Sequence, residues 1–458
     1  MAREEIRDVV VVVPGILGSA LEKDGRTVWD MSAGAALRAL LSLGKSVKSL
    51  TLAGDDPDAD DLGDGVSPTR ILPDLHLIPG LWKIDGYGAI TKRLQKQFEL
   101  TPGENYFEFA YDWRRDNRVA ARRLRRQSHD WLKAWRDKTG NDNAKLVLLA
   151  HSMGGLVSRA FLELEDGWKD TRTLVTFGTP YRGSLNAASF IANGMEKKLG
   201  PLTLIDLSEM LRSFTSVHQL LPIYPCIDDG SGDLKRPSEA AGFPHLDPTR
   251  AADALAFHRS IESAVSEHSA EETYVSGGYR IEPIVGTDQP TVNSGRLENG
   301  RLAASQWIHD ERLLGDGTVP RPSAHPLEME DPTGAVFSGQ PHASIQNQVG
   351  ILDHVAGLMT ALRLDLGKFR KPDIRIGLNT EDLWEAGVGA EVRVETGDPT
   401  ADITLAVTDA GTGAEVARVD STGDGEERMV EVPAVPEGAY RLTAATDGAS
   451  VTDIVLAG

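Results

Sequence analysis

Taken in chain order, Ser152, Asp316 and His342 are the residues whose types can do chemistry together. A serine, an imidazole and a carboxylate transfer acyl groups: the imidazole takes the serine proton, and the carboxylate holds the imidazole in the required tautomer. Ser152 lies in KLVLLAHSMGGLVSRAF, Lys145 to Phe161. Leu146 to Ala150 suits a short buried parallel strand. His151-Ser152-Met153-Gly154-Gly155 is a sharp turn, and Leu156, Val157, Ala160 and Phe161 then recur at helical spacing. Strand, tight turn and helix with a serine at the apex read as a nucleophile elbow. Residues two before and two after that serine must be small, or strand and helix collide. Here they are Ala150 and Gly154, so an alanine stands where the usual pattern has glycine. A serine that merely caps the following helix is the plainer reading. The apolar strand in front favours the elbow.

The other two members follow from chain order, which in an α/β-hydrolase runs serine, acid, histidine. Asp316 stands in Gly315-Asp316-Gly317-Thr318-Val319, where glycines free the backbone to aim a carboxylate; an ordinary Asx turn is the alternative. Asp288 and Asp310 are rivals without that setting. His342 lies in a Gly/Pro loop after the last core strand and before a closing helix. His309, His325 and His354 compete, and His151 faces the wrong way along its turn for a base. Two backbone amides are candidates for an oxyanion hole: Met153, directly after the nucleophile, and Ile16, in the Pro14-Gly15-Ile16-Leu17-Gly18 turn that ends an early strand.

The elements that must position these groups alternate. Strands are predicted at Asp8–Val13, Asn105–Tyr111, Leu146–Ala150, Arg172–Gly178, Glu272–Ser276 and Ala335–Phe337, and helices at Tyr87–Leu100, Val119–Thr139 and Ile345–Leu364. This order implies a doubly wound, mostly parallel sheet of the α/β-hydrolase class. Residues 21–85 are expected to carry no sheet, and to hold an Ala/Leu-rich helix, Ala33–Leu43, as part of a lid. Residues 185–271 are expected to form a helical cap from amphipathic pieces at Phe190–Leu199, Leu204–Leu220 and Ala251–His268. From residue 372 onward, seven short alternating runs separated by turn residues predict an all-β, immunoglobulin-like sandwich. The domains are therefore set at residues 1–368 and 369–458.

Composition narrows the function classes. The formal net charge is −20, and residues 371–458 hold 18 acidic against 6 basic side chains. Such a balance disfavours nucleic acid and anionic membrane as partners. Seven arginines between Arg114 and Arg126 read as a solvated helix face, or more sharply as a docking surface for an acidic partner or lipid headgroup. Asp55 to Gly65 is acidic but lacks the spacing of a calcium loop, so no metal is assigned. A lone cysteine, Cys226, allows no internal disulfide. The charged start, Met1 to Glu5, runs directly into a short strand rather than a leader, and no window approaches the ~18 apolar residues of a membrane span. A cytoplasmic chain with at most transient membrane-surface contact is expected, needing no cofactor.

Six blocks in order, VVVPGILGS, YDWRRD, AHSMGG, FGTPYRGS, GDGTVP and the final His342, resemble the lecithin:cholesterol acyltransferase-like family, which includes lysosomal phospholipase A2-type enzymes and bacterial relatives. The resemblance covers about residues 8–365. It implies an α/β-hydrolase with cap and lid, Ser152, Asp316 and His342 as the triad, Ile16 and Met153 as oxyanion donors, and a lipid ester as substrate. A serine esterase or lipase is thus expected, with acyl transfer to an alcohol as its variant. The acidic sandwich lies outside the family pattern; a chain that chiefly docks a protein partner through it is the alternative of a different kind.

Overall fold

The computed structural model describes residues 3–30, 47–73, 76–78, 82–199, 202–329, 335–360, 375–422, 425–446 and 449–458. The expected helix Ala33–Leu43 and the domain boundary at 368/369 lie outside these residues.

The centre is a six-stranded sheet built from β1 (Val9–Val13), β2 (Tyr106–Glu108), β3 (Leu146–His151), β4 (Thr171–Phe177), β5 (Arg280–Gly286) and β6 (Val336–Ser338). Its spatial order is β6-β5-β4-β3-β1-β2, with every pairing parallel. Parallel strands are covered on both faces, so they read as continuous apolar runs; β1 is five valines, all buried. Alternate residues serve opposite faces. Val10, Val12, Val147 and Leu149 pack with α1 (Gly88–Gln97) and α9 (Val349–Thr360) through Ile90, Leu94, Ile351 and Val355. Val9, Val11, Leu146 and Leu148 pack on the other side with α2 (Asn117–Thr139) and α3 (Met153–Leu164) through Ala121, Leu124, Leu156 and Val157.

Several expectations are corrected. Residues 21–85 do contain sheet: Ser19–Lys23 pairs antiparallel with Arg26–Trp29 and with Val66–Ile71. The hairpin turns on Asp24 and Gly25, both at positive φ, 50° and 72°; Asp-Gly between short strands is a hairpin signal. Glu272–Ser276 is not a strand but the start of α8 (Glu272–Gly277). The strand comes later, at β5. Five residues with only Tyr274 and Val275 apolar do not distinguish the two periods, and packing chooses the helix: Tyr274 stands edge-on against Trp168 and donates to Glu163.

The cap is only partly helical. Helix α4 (Leu185–Asn193) stops at Gly194, φ 70°, and Glu196–Leu199 then pairs antiparallel with Leu202–Asp206. Short α5 (Ser208–Ser213) and α6 (Thr215–His218) follow, and α7 (Pro248–His268) closes the segment. Two of the arginines in the cluster depart from a solvated face. Arg114 and Arg115 are buried. Arg114 donates to Asp64 and Asp112 at 2.9 and 2.6 Å, and Arg115 to Asp55 at 3.0 Å and to the carbonyls of Asp56, Ala59 and Asp60. The acidic loop and these two arginines therefore satisfy each other.

Eight strands follow residue 375: β7 (Ile376–Asn379), β8 (Leu383–Trp384), β9 (Ala390–Thr396), β10 (Ile403–Asp409), β11 (Glu415–Ser421), β12 (Glu427–Val432), β13 (Gly438–Thr446) and β14 (Ala449–Ala457). They form two sheets, β7-β9-β12 and β8-β14-β13-β10-β11. Val392, Val394 and Val430 from one meet Leu405, Leu442 and Val451 from the other in a shared core. Period-two burial along β9 and β12 is what produces this sandwich.

The sandwich packs on the loop that follows β6. Ala343 of that loop joins Ala439, Ile454 and Leu456 in a small apolar cluster. Gln340 donates to the Ser450 carbonyl at 3.0 Å and accepts from the Thr452 amide at 3.1 Å. Arg441 forms an ion pair with Asp85.

Candidate active site

Ligands of open α/β sheets bind at the carboxyl ends of the strands. There, Ser152 follows β3, Gly178 follows β4, and His342 lies beyond β6. Ser152 has φ 53° and ψ −126°, a conformation rarely held by a residue with a side chain. The surroundings enforce it. The Ser152 amide donates to the Phe177 carbonyl at 2.9 Å, and its own carbonyl accepts from Thr179 Oγ1 at 3.0 Å. Residue 154 must be glycine, because a Cβ there would stand 2.5 Å from the carbonyl oxygens of Val13 and Pro14.

The structure brings the three sequence-predicted residues into one hydrogen-bonded line. His342 Nε2 is 2.9 Å from Ser152 Oγ, and His342 Nδ1 is 2.7 Å from Asp316 Oδ2. The second oxygen of Asp316 accepts from the amides of Thr318 and Val319 at 2.9 and 2.6 Å, and the Asp316 carbonyl accepts from the His342 amide at 2.8 Å. Asp316 and His342 are thus locked to each other by backbone as well as side chain. All three residues are buried, at 3%, 1% and 4% exposure for Ser152, Asp316 and His342. Gly178, at φ 56°, passes so close that a Cβ would lie 2.6 Å from Asp316 Oδ2 and 3.0 Å from His342 Nδ1.

Met153 is the first residue of α3, so its N–H has no carbonyl partner within the helix. Ile16 is buried in the turn after β1 and shares a narrow apolar cleft with Ser152. That cleft, about 40 Å³, is walled by Leu17, Phe190, Leu211, Val217 and Leu220.

The rival residues lie elsewhere. His309 and Asp310 form the positive-φ turn between Trp307–Ile308 and Glu311–Arg312. His325 is 3.3 Å from Arg182, and His354 is buried within α9. Asp288 is buried beyond β5 and receives the Thr287 hydroxyl at 3.4 Å.

His151 has a role that the motif does not announce. Its Nε2 is 3.0 Å from the His342 carbonyl and its Nδ1 3.1 Å from the Tyr87 hydroxyl, which itself accepts from the Gly15 amide at 2.8 Å. Burial, with the neighbouring His342, pushes His151 down to about 3, so it is neutral. With Nε2 carrying the proton, one chain runs from the Gly15 amide through Tyr87 and His151 to the His342 loop. Tyr87 was missed on sequence. It begins a helical run 64 residues before its partner, and nothing local marks it.

A family model for lecithin:cholesterol acyltransferase matches residues 83–250 of the chain. Lysosomal phospholipase A and acyltransferase of Homo sapiens is 29% identical over 285 residues, 58% of this chain and 61% of that protein. An uncharacterized protein of Saccharomyces cerevisiae is 28% identical over 179 residues, 38% of this chain and 24% of that one. The chain therefore matches about a quarter to three fifths of the length of these relatives. Among solved structures, a mature Bacillus licheniformis lipase aligns at 10% identity and a TM-score of 0.35, over 78% of this chain and 94% of that one. The family match contains the elbow and its flanking blocks, and the sheet that carries them is the parallel one its order demands. The fold is that of an α/β-hydrolase, and over residues 83–250 the chain is similar to the lecithin:cholesterol acyltransferase family.

Proposed function

We propose that this chain is a serine esterase of lipase or phospholipase type, working on lipid carboxylic esters through an acyl-enzyme. The observation that carries the reading is the continuous line from Ser152 Oγ through both nitrogens of His342 to Asp316, at 2.9 and 2.7 Å. Ser152 attacks the ester carbonyl while His342 takes its proton. The imidazolium then protonates the departing alcohol, and Asp316 holds the ring throughout. The amides of Ile16 and Met153 receive the oxyanion, one such donor being worth about 10²–10³ in rate. Water or an alcohol then takes the acyl group. The human relative's name pairs a phospholipase with an acyltransferase, which supports keeping both acceptors within the proposal. A cytoplasmic setting belongs to it too, since a chain whose single cysteine is buried needs no oxidising compartment; finding the native protein in a secreted fraction overturns that part.

Intact-mass labelling with a fluorophosphonate tests the chemistry. Wild type is expected to gain one adduct and Ser152→Ala none. Turnover of a medium-chain ester is expected to fall by about 10⁶ in Ser152→Ala. An alanine variant with wild-type rates overturns the proposal.

A further inference from the structure

Strands β13 and β14 of the sandwich take hold of the His342 loop on both sides of the imidazole. Two residues before it, the side-chain amide of Gln340 bridges the Ser450 carbonyl and the Thr452 amide at 3.0 and 3.1 Å. Gln340 is itself buried in the seam. One residue after the imidazole, Ala343 is buried against Ala439, Ile454 and Leu456. Strand β7 adds a third hold. The Leu378 amide stands 3.5 Å from Gln289 Oε1, and Gln289 Nε2 donates to the Gly339 carbonyl at 2.7 Å. The Gln289 backbone is meanwhile paired with Gly315, next to Asp316, at 3.0 and 3.1 Å. The seam holds a cavity of about 350 Å³, with His342 and Asp316 on its hydrolase side and Asn379, Thr380, Asp382 and Asp453 on the sandwich side.

A second route arrives through the segment before Tyr87. Arg441 of β13 pairs with the buried Asp85. Both ends of that pair are fixed: Arg441 also donates to the Ala410 carbonyl at 3.0 Å, and the Asp85 amide donates to the Ala343 carbonyl at 2.9 Å. Asn347 and Gln346 donate to the carbonyls of Asp85 and Gly86 at 3.1 and 2.9 Å. Two residues on stands Tyr87, whose hydroxyl accepts from the Gly15 amide ahead of Ile16 and touches the His151 ring behind the His342 carbonyl. Arg441 therefore grips the segment that supports both the His342 loop and the Ile16 turn. The hydrolase sheet gives this loop little of its own. The loop leaves β6, a strand of three residues at the edge of the sheet, paired with β5 on one side. A base must be held closely, since a misplacement of about 1 Å can cost on the order of 10²-fold in rate.

We infer that the C-terminal sandwich braces the base of this enzyme, with Gln340 and Arg441 as positioning residues that act through the His342 loop and through Asp85. This rests on the serine-esterase reading above. The test uses the full chain with Gln340→Ala, Arg441→Met and Arg441→Lys. Three quantities are measured on each: steady-state kinetics with a decanoyl ester, the rate of fluorophosphonate labelling, and a thermal melt that fixes a temperature at which every variant is folded. Gln340→Ala and Arg441→Met are each expected to lower kcat about tenfold with KM changed by less than about twofold. Labelling of Ser152 is expected to slow by a like factor, because it too needs His342 to take the serine proton. Arg441→Lys, which keeps a cation opposite Asp85, is expected to recover most of the loss. A role in packing alone moves the melt and leaves kcat and the labelling rate of the folded protein at wild-type values, and that result overturns the inference. So does a loss carried by KM alone, or an Arg441→Lys as impaired as Arg441→Met. Either position decides the matter by itself if the variant at the other does not fold. If wild type is not labelled at all, the serine-esterase reading has failed and this inference with it; wild type and variants labelled equally fast remove the inference alone.

Discussion

Ser152 is held at φ 53° by Phe177 at the end of β4 and Thr179 just beyond it, and so the serine's orientation belongs to its surroundings rather than to its own preference. The same holds for His342, whose loop is fixed partly by a bond from a neutral, buried His151. Tyr87 is the positioning residue that completes this support. Tyr87→Phe removes the hydroxyl but keeps the ring, leaving the Gly15 amide and His151 Nδ1 without their partner. An unmade buried hydrogen bond costs about 1–3 kcal/mol, and part of that cost is expected to appear as displacement of the Ile16 turn and the His342 loop. A fall of about tenfold in kcat with little change in KM is expected from steady-state kinetics, and a thermal melt within a few degrees of wild type separates positioning from unfolding. A variant with unchanged kcat removes Tyr87 from the support.

At the scale of elements, α3 is anchored at its far end by a buried polar network. Arg159 and Glu163 pair at 3.3 Å within the helix, both side chains almost wholly buried. Glu163 also receives the hydroxyls of Tyr274 and Tyr279 at 3.0 and 2.5 Å and stands 2.8 Å from His268 Nδ1. Arg159 reaches on to Glu328 and Tyr279. Removing one partner of such a group leaves an uncompensated charge, a loss of about 3–5 kcal/mol. Glu163→Ala is therefore expected to lower the urea midpoint strongly, while Glu163→Gln, which still accepts the tyrosine hydroxyls, is expected to lose less. Wild-type stability in both variants, each of which lacks the carboxylate charge, overturns its role. The clasp of Arg114 and Arg115 by the acidic loop belongs to the same scale, and gives the two opposite charge runs a contact within the chain.

For the whole molecule, three buried histidines tie stability to pH. Burial pushes His218 and His258 down to about 4 and His151 to about 3. Each is neutral in the fold, while in the unfolded chain it takes a proton around the ordinary value of 6.5. The unfolded state thus binds more protons between about pH 6.5 and 4, so the stabilisation is complete above about 6.5 and is lost as pH falls toward the folded values. Urea unfolding at steps from pH 7.5 to 4.5 is expected to show a falling midpoint, and His258→Gln a shallower fall. A midpoint independent of pH over that range overturns the linkage. The buried Cys226 thiol, pushed up by burial, is expected to resist iodoacetamide until the chain unfolds.

The elbow, the five valines of β1, the order of serine, acid and base, and the seven alternating runs of the sandwich were legible before any fold was in hand. Each is a local pattern: small residues around a turn, an unbroken apolar run, or period-two alternation, all imposed by backbone geometry over a few residues. The hairpin at Asp24-Gly25 carries such a signal too, within residues 21–85. Beyond local reach lay Glu272–Ser276, whose one apolar pair, Tyr274-Val275, fits either period until Trp168 and Glu163 select the helix. Also beyond it were the Tyr87–His151 contact and the wall of Asp382 and Asp453 beside His342. These join residues far apart in the chain, 64 positions for Tyr87 and His151. No spacing rule in a linear chain encodes them, because they arise when two separately formed layers are packed and their polar groups must find partners across the seam.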